Sequence, residues 1–293
     1  MTGARGFAGR YLVEHLEKHG TKVTGWGRED VDLLDRRAVS RAIADLRPSV
    51  VYHCAGAAHV GQSFSNIGDT LAANVLGTHH LLDSLRNAGV QARVLITGSS
   101  LVYRQSDRAL KEEDPTGPAT PYALSKLAQE MLGQRGVRED RQHVLLARPF
   151  NHTGPRQDPT YVAPTFAQQI ASIEKGRMRP EIVVGNLDAS RDLHDVRDTV
   201  RAYAAIVERG EPGRIYNVCA GQAFKVRDVL NRLVAMSRVP VTITVDPARY
   251  RPSDNLMLWG DRSRIEQELG WRPEISLDET LHDLLDYWRK EIE

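Results

Sequence analysis

Cysteine is scarce in this chain: Cys54 and Cys219 are the only two among 293 residues. So few exclude a disulfide framework, and a chain this long buries a core without staples. Both sit in apolar, strand-like contexts and read as buried thiols in a reducing compartment. An excess of charge is missing as well. The formal net charge is +1, which removes the electrostatic case for nucleic acid as a partner. No apolar run approaches the roughly 18 residues of a membrane span, and no signal peptide opens the chain. Neither membrane nor metal is expected, and the cytoplasm is the default location. Repeats, low-complexity tracts and flexible linkers are also lacking, so the length fits one large or two small domains.

What is present is a rhythm of short apolar strands and helices. After a glycine-rich opening, Phe7, Ala8, Tyr11, Leu12 and Leu16 form a helical stripe that stops near Gly20. Strands are expected over 22–27, 50–54, 94–97 and 144–147, with helices over 37–46, 70–87 and 121–133. Strict alternation argues a doubly wound parallel sheet. Beyond about Phe150 the rhythm loosens into helices over 163–175, 194–208 and 226–236, strands over 182–184, 215–218 and 241–245, and a closing amphipathic helix over 277–292.

Three segments carry chemistry. In PYALSK, Tyr122 and Lys126 stand four residues apart, on one face of the expected helix. A phenol titrates near ~10, and an ammonium beside it favours the phenolate, which makes the pair an acid–base device. In TGARGFAG, Gly3, Gly6 and Gly9 have the spacing of a dinucleotide-binding turn, where backbone and a helix N-terminus meet a pyrophosphate. In VLITGSSLVY, a buried strand runs out into Ser99 and Ser100, at the carboxyl end where open α/β sheets bind ligands.

Glycine turn, serine-ended strand and YxxxK, in that order, resemble the extended short-chain dehydrogenase/reductases of the NAD(P)-dependent epimerase/dehydratase family, across essentially the whole chain. HCAGAAHVGQSF, NVLGT, ARPFNHTGPRQ, VGNLDASRDLHDVRD and RPSD narrow the match. They resemble the branch acting on GDP-mannose and its derivatives, which holds GDP-mannose 4,6-dehydratases and GDP-6-deoxy-4-keto-hexose reductases, the GDP-rhamnose-forming enzymes among them. The resemblance implies a Rossmann-type domain over 1–150 and a small nucleotide-sugar lobe over 151–293, partly interleaved with it. It also implies a homodimer joined by a four-helix bundle, built from the helices over 70–87 and 121–133, with Leu71, Val75, Leu81, Leu82 and Leu85 as apolar surface.

By the same resemblance Ser99, Tyr122 and Lys126 are catalytic: Ser99 on the sugar C4 oxygen, Tyr122 moving the proton, and Lys126 on the nicotinamide ribose while lowering the Tyr122 pKa. Ser100 is the alternative serine. The cofactor would lie against Gly3, Arg5, Gly6, Phe7, Gly9, Arg28, Asp32, Leu33, Ala55, Gly56, Tyr122, Lys126 and His152. A guanidinium at Arg28, near the end of the second strand, suits a 2′-phosphate, so NADP(H) is preferred and NAD(H) is the alternative. In the latter case Glu29 or Asp30 would reach the ribose. Asn151, Arg191, Arg251 and Asp254 are the substrate residues, with Arg156 a further diphosphate candidate and His59 and Ser63 candidates for the sugar pocket.

Dehydratases of this branch place a Glu two residues after the catalytic hydroxyl. Leu101 stands there in this chain and cannot carry protons. The expectation is therefore NADPH-dependent reduction of the C4 ketone of a GDP-4-keto-6-deoxy-hexose. Dehydratase or epimerase is the alternative, and a non-catalytic dinucleotide-binding protein the alternative of another class. One feature does not fit. The glycine turn should follow a first strand, yet only Met1 precedes Thr2. Either an N-terminal segment lies upstream, which is the expectation, or the sheet is built without that strand.

Overall fold

The computed structural model describes residues 1–249 and 257–292. In its first half α1 (Phe7–Lys18) and α2 (Arg36–Leu46) precede β1 (Val50–His53). The short α3 (Val60–Ser63) leads to α4 (Ile67–Leu71), a π turn over Ala72–Leu76, and α5 (Gly77–Asn87). Then come β2 (Arg93–Thr97), α6 (Pro121–Asp140) and β3 (His143–Pro149). The second half holds β4 (Asn151–Thr153), α7 (Val162–Glu174), β5 (Glu181–Val184), β6 (Ser190–Asp195), α8 (Val196–Arg209), β7 (Ile215–Val218), β8 (Ala223–Lys225), α9 (Val226–Ala235), β9 (Thr242–Val245), β10 (Met257–Leu258), α10 (Ser263–Leu269) and α11 (Leu277–Glu291).

The main sheet is parallel, in the order β1-β2-β3-β7. Its strands alternate between two buried faces, as a parallel sheet covered on both sides requires. Tyr52, Leu95 and Leu145 pack with α1 and α8, whereas Val51, Val94, Ile96, Val144 and Leu146 pack with α2 and α5. This is the expected Rossmann-type α/β fold. A second sheet, β10-β6-β4 with β8 antiparallel to β6, and the parallel pair β5-β9 lie apart from it. A separate apolar core under α7, α9 and α11 supports that half.

Four expectations need correction. The strand over 22–27 reduces to one bridge, Thr2 to Trp26. Residues 21–24 form no strand: the Thr24 carbonyl accepts from the Met1 amino group (2.7 Å), and the Thr21 amide donates back to the Leu16 carbonyl (3.0 Å). Thr2 donates to the Tyr52 carbonyl (3.0 Å), and Trp26 donates to the Met1 carbonyl (2.7 Å). Beyond Met1 a cleft of about 420 Å³ opens between the two edges, lined by Leu16, Val23, Ile43, Val50 and Leu81 among others. The helix over 70–87 starts earlier and is interrupted by the π turn. The helix over 121–133 runs on to Asp140 because Gly133 is a contact and not a stop. A Cβ there would lie 2.9–3.0 Å from Ile96, Val144 and Leu146, so glycine lets α6 press onto the sheet. The helix over 194–208 begins at Val196, because Ser190–Asp195 is a strand whose buried positions are polar. Apolar patterning has no signal for such a strand.

Candidate active site

The glycine turn sits against the end of β1. Gly3 adopts φ 69°, and a Cβ on it would lie 2.6 Å from the Ala55 nitrogen. A side chain at Gly9 would run into the Gly3 carbonyl. The backbone is thus bare where a pyrophosphate would approach. Gly6 caps α1 without any side-chain hydrogen bond, which leaves the first amides of the helix available to an anion. These features fit a dinucleotide. Phe7, the first residue of α1, stacks on His152 with ring planes 7° apart and centroids at 5.9 Å. His152 is held from the other side by the Phe150 carbonyl (3.2 Å), and burial lowers its pKa.

Around the ribose end the charges sort themselves. Arg5 pairs with both Glu29 and Asp30, and Asp30 also accepts from the Gly27 amide at 2.7 Å. Both carboxylates weighed for an NAD ribose are therefore engaged. Arg28 is 82% exposed and makes only a loose pair with Asp32, at 3.6 Å. Asp32 caps Leu34 (2.9 Å), and Leu33 packs into the core. Ala55 and Gly56 lead away from β1 beside Asn74 of the π turn. Asn74 accepts from the Ala57 amide (2.8 Å) and donates to the Ala57 carbonyl (3.1 Å) and to Ser125 Oγ (2.8 Å). This one buried amide ties the cofactor-side loop to α6.

α6 begins cleanly: Thr120 accepts from the Ala123 amide (3.1 Å) and Pro121 fills the first turn. Tyr122 follows, its backbone amide donating to Ser63 Oγ (3.3 Å) and its phenol beside the Ser99 hydroxyl, which acts to lower its pKa. Ser99 also caps the turn over Ser100–Val102 by accepting from the Leu101 amide at 3.2 Å. Of the two serines, the structure brings Ser99 to the phenol. Lys126 Nζ donates to the Thr97 carbonyl (2.6 Å) and to Gln129 Oε1 (2.8 Å). Burial brings its pKa down to about 8.

The expected lowering of the Tyr122 pKa by Lys126 is not seen in this arrangement. The phenol is pushed up to about 12 by burial, with Ser99 opposing and Tyr161 adding to the rise. Burial is the largest cause, and the ammonium of Lys126, whose bonds go to Thr97 and Gln129, does not offset it.

On the sugar side His59 stacks on Tyr161, with centroids at 5.3 Å. Ser63 serves its own turn by donating to the Val60 carbonyl (2.6 Å). Leu101 packs against a cluster of Tyr103, Leu110, Phe150, Cys219 and Leu258. Asn151 is exposed on β4, and Arg191 is half-buried on β6, donating to the Ser190 carbonyl at 2.9 Å. Arg251 and Asp254 lie outside the described residues. Arg156, a further diphosphate candidate, pairs with Glu14 and lies 4.1 Å over the Tyr11 ring, bracing α1. Sequence reasoning missed Asn74, Tyr161, Thr78 and Gln129. The first and third lie inside the NVLGT segment, whose residue types were a signal left unread, whereas Tyr161 and Gln129 carried none.

Comparison with known proteins agrees with this geometry. The family model described as GDP-mannose 4,6 dehydratase matches residues 28–284. The GDP-6-deoxy-D-mannose reductase of Pseudomonas aeruginosa is 36% identical over 100% of this chain and 97% of its own length. A GDP-mannose 4,6-dehydratase of Vibrio cholerae is 26% identical over 97% of this chain and 91% of its own. Among solved structures, RMD from Pseudomonas aeruginosa complexed with NADPH superposes with a TM-score of 0.92 at 34% identity, covering 99% of this chain and 98% of that one.

Proposed function

The chain belongs to the GDP-mannose 4,6-dehydratase family, and from that premise we propose that it is an NADPH-dependent reductase of the C4 ketone of a GDP-4-keto-6-deoxy-hexose. The observation that carries this reading is the Ser99–Tyr122 hydroxyl pair with Leu101, not a carboxylate, two residues on. NADPH, when bound, supplies the hydride to C4. Ser99 and Tyr122 hold the C4 oxygen between two hydroxyls, and Tyr122 delivers the proton as that oxygen becomes an alcohol. Lys126 supplies positive charge one helical turn away, which favours the phenolate left behind. Gly3, Gly6, Gly9, Phe7, Ala55, Gly56 and His152 line the cofactor side. Asn151, Arg191 and the Arg251–Asp254 segment serve the nucleotide sugar. The test is to incubate the protein with GDP-4-keto-6-deoxy-mannose and NADPH. One NADPH should be oxidised per GDP-6-deoxy sugar formed, and no oxidation above the substrate-free rate would sink the reading.

The preference for NADPH rests on Arg28. Arg28→Ala should weaken NADPH binding by about tenfold or more and leave NADH binding nearly unchanged, since only NADPH has a 2′-phosphate to accept a charge-assisted bond. Titration of both cofactors into both proteins checks this, and equal losses would remove Arg28 from that role.

We also read the protein as a homodimer. The bundle residues expected from the sequence need revision: Leu81, Leu82 and Leu85 are buried within the chain's own core. The apolar groups that α4, the π turn and α6 leave outward are Ile67 (49% exposed), Leu76 (44%), Leu124 (51%) and Met131 (57%). A face of this kind on two adjacent helices suits a partner helix pair. Light scattering at micromolar concentration should give twice the chain mass, and a monomer would count against the bundle. In this reading residues 1–150 form the cofactor domain and 151–293 the sugar lobe, with β7 and α8 of the second returning to the first. The free thiols Cys54 and Cys219 suit a reducing cytoplasm. Among the described residues no helix is long and apolar enough to cross a membrane.

A further inference from the structure

A buried polar chain runs from the second residue of the protein to Lys126, and the chemistry of its members fixes the direction of every hydrogen bond in it. Thr2, His53, Thr78 and Gln129 are each at most 2% exposed. The Thr78 hydroxyl donates to the Asn74 carbonyl one turn back (2.6 Å), so toward its other neighbours it can only accept. It accepts from Gln129 Nε2 (2.8 Å) and from His53 Nε2 (2.8 Å). His53, kept neutral because burial drives its pKa down to about 3, therefore carries its one proton on Nε2. Its Nδ1 accepts from the Thr2 hydroxyl at 2.8 Å, and that hydroxyl accepts from the Ala55 amide at 3.2 Å. Since Gln129 spends its amide nitrogen on Thr78, its carbonyl oxygen faces Lys126 Nζ, 2.8 Å away. A flipped amide would set a donor against an ammonium.

We infer that Gln129 is a positioning residue for Lys126, and that Thr2, His53 and Thr78 act behind it by dictating which atom of its amide meets the ammonium. An amide and an imidazole buried together cost free energy unless every bond is made, and an apolar side chain would pack α6 on the sheet without them. The inference rests on the reading of Lys126 as catalytic. The Thr97 carbonyl and Gln129 Oε1 hold two of the three ammonium protons. Both acceptors favour the charged form against the burial that disfavours it. The other titratable groups around Lys126 are Tyr122 on its own helix and His53 and Cys54 at the end of β1, with the Met1 amino group beyond them. Glu130 is taken up by Arg148. Tyr122 and Cys54 are pushed up to about 12 and His53 down to about 3 by burial, which leaves Lys126, brought down to about 8, and the more distant Met1 amino group, held below its usual 8.0, as the groups that titrate nearest neutral pH.

The experiment is the pH profile of kcat/KM for the keto sugar in four proteins: wild type, Gln129→Met, Gln129→Glu and Lys126→Met. Methionine keeps the length and helix propensity but removes the acceptor, so the charged lysine loses support. The alkaline limb should fall by about one pH unit, the equivalent of one hydrogen bond to a charged group. Glutamate places a negative charge on the ammonium, and the limb should rise by a similar amount. A role confined to packing predicts a uniform loss with the limb in place. If Lys126→Met is inactive and both Gln129 variants keep the wild-type limb, the inference is wrong while the catalytic reading stands. If Lys126→Met retains turnover, the catalytic reading itself has failed. Should Gln129→Met not fold, Thr78→Val takes its place. Loss of the hydroxyl frees the amide to flip, so the limb should again move down, and an unmoved limb would overturn the proposal.

Discussion

Tyr122→Phe should reduce turnover by roughly 10²–10⁴-fold, the usual worth of a positioned general acid, while NADPH binding changes little. The side chain is half-buried and its hydroxyl lies beside Ser99, so phenylalanine fills the same space and removes only the oxygen that carries the proton. The phenol is pushed up to about 12, so before hydride transfer it is fully protonated at neutral pH and ready to donate. Once the proton has moved, the phenolate would be costly in this burial, and that cost is what Lys126 must offset. The mutant phenotype therefore falls on kcat more than on KM. Stopped-flow single turnovers beside an NADPH titration separate the two. A phenylalanine variant with near wild-type kcat would remove Tyr122 from the chemistry, whereas one that no longer binds NADPH would mean the side chain is a binding contact. The second outcome would redirect attention to Ser99 as the group polarising the ketone.

The parts of this molecule that were legible from sequence share a local cause. Glycines at 3, 6 and 9, the apolar runs of β2 and β3, and the Tyr-Ala-Leu-Ser-Lys spacing each act within a few residues, where steric rules and helical or strand periods apply directly. The strand over 22–27 is reduced to one bridge because strand formation depends on a neighbour, and its backbone partners there are Met1, at Thr24 and Trp26, and Ala4, at Trp26. Ser190–Asp195 escaped because its buried side chains include Asp192, His194 and Asp195, which pair with their surroundings and leave no apolar signature. The Asp192 carboxylate is satisfied by amides of Ala220 and Gly221, 28 and 29 residues on. The site shows the same division. Ser99 and Tyr122 could be paired from their motifs, but the bonding of Lys126 could not. Gln129 stands three residues on along α6, but Thr97 is brought to Lys126 by the packing of α6 on β2, and the polar chain behind Gln129 passes through three separate segments, at Thr78, His53 and Thr2. The contacts of Arg156 were illegible for a related reason: its ring contact and ion pair come from α1, about 140 residues earlier in the chain.

Incubated with GDP-mannose and NADP⁺, the protein should form no detectable 4-keto-6-deoxy sugar, although the family name and its Vibrio cholerae relative point to dehydration. Dehydration asks for three events: oxidation at C4, removal of the C5 proton, and departure of the C6 hydroxyl with a proton. In the proposed reading Ser99, Tyr122 and Lys126, with NADP⁺ as hydride acceptor, serve the first. The other two need a group that can take one proton and give another, and Leu101 offers an isobutyl side chain at that place. It packs on Tyr103, Phe150 and Leu258. Loss of general acid–base help costs about 10²–10⁴-fold for each step it serves, so even slow C4 oxidation would lead nowhere. A wall of this kind suits a methyl group at C6 and disfavours a hydroxyl left without a partner. GDP-mannose itself should therefore bind less well than the 6-deoxy-4-keto sugar. Both statements are checked together, by product analysis with GDP-mannose and NADP⁺ and by competition of GDP-mannose against the keto sugar with NADPH. Leu101→Glu is the sharper probe. If proton traffic is what the site lacks, the carboxylate should bring measurable dehydration and lower the reductase kcat/KM by spoiling the apolar wall. Brisk dehydration by the wild-type protein would instead place the acid–base group elsewhere, with His59 and His152 the two imidazoles to mutate first.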